Sequence, residues 1–126
     1  MAKKRRKQLS EEKILSLVLK DHPQWRRDYL EGTLPEEIEG EDGEPMSPQL
    51  HIAMHTIVEQ QLAIDEPAGI VAIAEELEQL GVARHEIRHQ IASVLVEQVW
   101  AMQHEGREFD EVQYFADLRE IVDEYR

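Results

Sequence analysis

The chain has 126 residues, no cysteine, 41% hydrophobic residues and a net charge of −13. That length suits one compact helical or mixed domain, and the missing thiols exclude disulfides, iron–sulfur clusters and thiolate zinc sites. No apolar run approaches the length of a membrane span, and no apolar signal region follows the basic start, so a cytoplasmic setting is expected.

Lys3, Lys4, Arg5, Arg6 and Lys7 concentrate positive charge at the N-terminus, which leaves the rest at about −18 against the total of −13. Residues 1–9 read as a basic disordered tail, able to touch RNA or anionic surfaces only weakly. Residues 10–126 read as a single helical domain whose acidic body repels phosphate backbones.

Ser10 has the character of a helix N-cap, with Leu9 and Ile14 at staple spacing. Ile14, Leu15, Val18 and Leu19 then form one apolar face. Asp21-His22-Pro23 ends that helix and starts a short second one carrying Trp25, Tyr29 and Leu30, which Gly32 stops. Residues 31–46 are acidic and rich in Gly and Pro, and are expected to be an exposed loop.

Ser47-Pro48 predicts a helix from 48 to about 64, with Leu50, Met54, Ile57 and Val58 on one face. Pro67 is expected to begin the next helix, ending before Gly81. The longest helix is expected over 83–105, burying Ile91, Val94, Leu95, Val99 and Met102. Asp110 and Gln113 resemble a capping box for a last helix with Tyr114, Leu118, Ile121 and Tyr125. No alternating strand pattern stands out. The expected fold is all-α, a small helical bundle of about five to six helices, with the central three running up, down and up.

Two histidine pairs carry the chemistry. His51 and His55 lie four apart on one helix, and His85 and His89 lie four apart on another. Residues at i and i+4 share a helix face, so two imidazoles can reach one ion. Glu59 extends the first row by one turn. In parallel helices the two pairs would meet at one height, giving a metal site of His51, His55, Glu59, His85 and His89. Zinc, iron or manganese are the expected ions. His22 and His104, each alone near a helix end, are set aside as ligands.

His85-Glu86-Ile87-Arg88-His89 also fits the HExxH pattern of zinc hydrolases, and His55 with Glu59, His85 and His89 resembles part of the hemerythrin di-iron pattern. The non-catalytic alternative is an acidic interaction module binding a basic protein partner, with structural histidines.

The segment LHIAMHTIVEQQLAIDEPAGI, Leu50 to Ile70, resembles the core motif of the bacterial family called domain of unknown function 1841. Its histidine pair, Glu-Gln and Asp-x-Pro-x-Gly-Ile turn fall at His51, His55, Glu59-Gln60 and Asp65 to Ile70. A second block resembles the family at His85, His89, Glu97, Trp100 and Gly106, and His22-Pro23 is similar to its His-Pro element. The resemblance implies a bacterial, cytoplasmic protein and lends no activity.

Overall fold

The computed structural model describes residues 10–40 and 42–126, so the expected tail at 1–9 lies outside the described residues. Six helices follow in order: α1 (Glu11–Asp21), α2 (Pro23–Glu31), α3 (Pro48–Ile64), α4 (Ile70–Gln79), α5 (Arg84–His104) and α6 (Glu111–Glu124). The all-helical bundle is thus the architecture. The starts with clear caps fall where the sequence puts them. Oγ of Ser10 accepts from Lys13 N, Oγ of Ser47 accepts from Leu50 N, and Oδ1 of Asp110 accepts from Gln113 N.

Three local features differ from expectation. The acidic segment holds a small hairpin, β1 (Ile38–Glu39) paired antiparallel with β2 (Pro45–Met46). Two-residue strands are too short to leave a period in the sequence. Helix α4 begins at Ile70 rather than Pro67, because Oδ1 of Asp65 accepts from both Gly69 N and Val71 N and so caps the helix from outside. Gly69 takes φ 106 there, a conformation natural to glycine. Asp65→Ala is therefore expected to cost about 1–2 kcal/mol in denaturant melts, with Asp65→Asn retaining most of the stability.

The third difference concerns direction. Glu59 of α3 reaches Arg84 and Arg88 at the start of α5, while Leu50 shares a cavity wall with Ser93 and Val96 further along it. Rising along α3 is descending along α5, so these helices run in opposite senses where they touch, not in the shared upward direction expected. Short connections make neighbours of consecutive helices without fixing their crossing angle.

Two apolar clusters hold the helices. The larger joins α3, α4, α5 and α6 through Val58, Ile70, Leu77, Ile91, Tyr114 and Val122. Tyr114 is wholly buried, and its hydroxyl donates to Oε1 of Gln61 at 2.8 Å. Burial pushes its phenol up to about 12. The smaller cluster packs Ile14, Val18 and Leu19 of α1 on Ile52 of α3, with Trp25 and Tyr29 of α2 against it. Leu50 and Ile57, expected inside, are exposed, and α3 buries Ile52, His55 and Glu59 instead. Its buried face is set by α1 on one side and α5 on the other, so it is wider than one apolar stripe. Among the described residues no helix is long and apolar enough to cross a membrane.

Candidate metal centre

The break between α1 and α2 creates the first position of the candidate site. Pro23 disfavours helical backbone in the residue before it, and His22 accordingly sits outside both helices at φ −128, ψ 62. Its imidazole turns inward and is only 6% exposed. Nδ1 lies 2.7 Å from the carbonyl oxygen of Val18, one of the acceptors left over at the end of α1. A carbonyl only accepts, so Nδ1 donates to it, and in the neutral ring Nε2 presents its lone pair. Such a backbone anchor fixes tautomer and ring orientation in metal-binding histidines.

That lone pair points at three other imidazoles. Nε2 of His22 is 3.1 Å from Nε2 of His51, and the His22 ring centroid is 4.7 Å from that of His55. His89 of α5 closes the group, with centroids 5.0 Å from His51 and 4.7 Å from His55. One ring nitrogen from each of His22, His51, His55 and His89 falls within 4.8 Å of all the others. Zinc–imidazole bonds of about 2.0–2.1 Å in a tetrahedral site separate neighbouring nitrogens by roughly 3.3 Å, so small side-chain movements bring this set onto one ion.

His55 is only 5% exposed, and its Nε2 is buried without a hydrogen-bond partner. Leaving a buried polar atom unsatisfied costs about 1–3 kcal/mol, and such an atom calls for an explanation. Here it belongs to a ring packed against those of His22, His51 and His89. Burial, followed by the charges of the neighbouring histidines, pushes His55 down to about 3. Burial, then His22 and His89, lowers His51 to about 4. Both rings are neutral near pH 7, the form that binds metal.

The same shifts set an acid dependence. In the unfolded chain both rings take up protons near pH 6.5, while the folded site resists until about pH 4. The unfolded state therefore binds more protons in that interval, and stability falls as pH drops through it. The metal-free protein is expected to lose thermal stability progressively from about pH 6.5 to pH 4, measurable by melting at constant ionic strength. His22→Phe should leave less of that slope, because a nearby imidazole that adds to the shifts is gone.

Trp25 backs the centre, stacked on His22 with centroids 5.5 Å apart and planes 3° from parallel. The remaining candidates from the sequence are placed differently. His85 stacks on His89 at 5.2 Å but lies outside the group of four. Because α3 and α5 run oppositely, the turn of α5 holding His85 is level with Glu59 rather than with His51. Oε1 of Glu59 accepts from Nε of Arg88 at 2.7 Å and from Arg84 at 3.5 Å, and Arg84 continues to Asp21 at 3.2 Å.

In the HExxH segment, Oε1 of Glu86 accepts from Gln90, so its carboxylate faces along its own helix. His104 is exposed, stacked on Trp100 with Nδ1 against that residue's carbonyl, and Asp110 caps α6. The hemerythrin-like reading has no further ligands in those two residues.

His22 is the residue that pattern reading passed over. The His-Pro break with Trp25 beside it was the available signal, but 29 positions separate it from His51.

A family model described as "domain of unknown function (DUF1841)" matches residues 1–120. No curated protein and no solved structure matches the chain.

Proposed function

The chain belongs to that family of unknown function, and on the geometry of its four histidines we propose that it binds one divalent transition metal through His22, His51, His55 and His89. The observation that carries this reading is the meeting of four imidazoles, each offering one ring nitrogen within 4.8 Å of the others, with a buried and unpartnered Nε2 on His55 among them. An all-imidazole donor set suits zinc or iron better than manganese, which favours oxygen ligands. Neutral ligands leave the ion's two positive charges uncompensated locally, and an overall charge of −13 favours such a cation over an anion. Glu59 supports the site from outside, tying α3 to α5 through Arg88 one turn beyond His55.

The test is elemental analysis of purified, untagged protein, followed by titration of the apo form with zinc. One equivalent per chain is expected. Zinc at a hundred times its dissociation constant adds about 2.7 kcal/mol of stability, which raises the melting temperature by roughly 10 °C for a chain of this size. Chelation should reverse the shift. Absence of both uptake and shift would sink the reading.

A further inference from the structure

A cavity of about 370 Å³ opens directly onto the histidine group, with His51, His55 and His89 in its lining. His22 is not part of that lining. It belongs to the α1–α2 side, where Trp25 covers its face. The cavity therefore reaches the centre from a side that three imidazoles share. His89 is exposed and His51 half-buried, so this side is accessible, whereas His22 and His55 are buried.

The rest of the lining is apolar or neutral. Met46 from the β2 strand, Leu50 and Met54 from α3, and Val96 from α5 form walls, with Ser47 and Ser93 as the hydroxyls. Among the described residues no Asp, Glu, Lys or Arg lines it, in a chain of which 33% of residues are charged. Apart from the ion itself, these walls offer few polar partners to a phosphate, a sugar or a peptide, and much apolar surface. Methionine walls adapt to apolar shapes, and the volume lies within the range of small-molecule sites.

Resting on the metal reading, we infer that the ion accepts a fifth ligand on the side of this cavity, which takes a small, uncharged, largely apolar molecule bearing one nitrogen or oxygen donor. The donor binds the ion and the apolar body lies between α3, α5 and the Met46 rim. Zinc has no geometric preference from its d electrons and can expand from four ligands to five, so a donor arriving through the cavity can join the four imidazoles.

The experiment loads the apo protein with cobalt(II), whose visible bands report its ligands, and titrates it with imidazole and with 4-phenylimidazole. The two probes share a donor, but only the second has an apolar body. 4-Phenylimidazole should change the bands at a half-saturation about tenfold lower than imidazole, from burial of its ring. Ser93→Trp and Val96→Trp replace exposed residues of the cavity wall. Each should erase that preference while leaving the cobalt spectrum of the free protein unchanged, and either variant suffices if the other misfolds.

Normal cobalt bands that respond equally to both probes, or to neither, would overturn the open cavity site and leave metal binding intact. A preference that survives both tryptophan variants would also overturn it. No cobalt bands at all would overturn the metal reading, and this inference with it.

Discussion

His22→Ala and His55→Ala are each expected to abolish stoichiometric zinc uptake, while His85→Ala is expected to retain it. Changes beside a metal site, in groups that only orient its ligands, typically cost 10–100-fold in affinity. Loss of a direct ligand should cost more, on the order of a thousandfold. His85 meets the centre by stacking on His89 and lies outside the group of four, so its removal should weaken zinc by no more than about tenfold. Calorimetric titration of the four single variants and His85→Ala distinguishes these outcomes. Equal losses for His22 and His85 would mean that the stacked ring, and not only the group of four, reaches the ion. His55→Ala also removes an unsatisfied buried nitrogen, so its metal-free form should keep most of its stability despite the lost volume.

The second large effect is structural. Glu59→Ala should lower stability by about 3 kcal/mol and leave zinc stoichiometry at one when measured well below the melting point. The Glu59 carboxylate is 10% exposed and holds Arg88, itself 18% exposed, at 2.7 Å. Removing one member of a buried pair strands the other's charge in a poor solvent, which is why the cost exceeds that of a surface pair. The Arg84 branch is half exposed and screened by water, and adds little. Combining Glu59→Ala with Arg88→Leu should recover part of the loss, because the stranded charge is gone. Zinc uptake lost in a folded Glu59→Ala protein would instead make the carboxylate a ligand.

Much of the fold was legible because its boundaries are chemical. Ser10, Ser47-Pro48 and Asp110 announce α1, α3 and α6 through side-chain oxygens and a proline that need only local sequence to act. Asp65 also acts locally, but as a remote cap whose two bonds skip past Pro67, so the start of α4 was read three residues early. The β1–β2 hairpin is too short to show a period.

At the candidate centre, His51 and His55, one turn apart as their spacing implies, meet His89. The rest depended on the relative direction of α3 and α5, which no local signal carries. With the helices opposed, the turn after His55 meets Arg84 and Arg88, so Glu59 forms an ion pair and His85 stands one layer out. The place at the centre goes to His22, delivered by a proline break in another layer. A residue that looked solitary along the chain is crowded in space.

Trp25 gives the molecule its own optical gauge. The chain has two tryptophans. Trp100 is 53% exposed on α5 and paired with His104, whereas Trp25 lies flat against His22 and edge-on to His51 at 5.2 Å. Indole emission responds to the charge and electronic state of whatever touches its face. Light from Trp25 thus separates a neutral imidazole, an imidazolium and an ion with a partly filled d shell, and Trp100→Phe leaves that signal uncluttered. Titration of the proposed four-histidine group with a quenching ion such as cobalt(II) is therefore expected to be visible without a label, on the time scale of mixing.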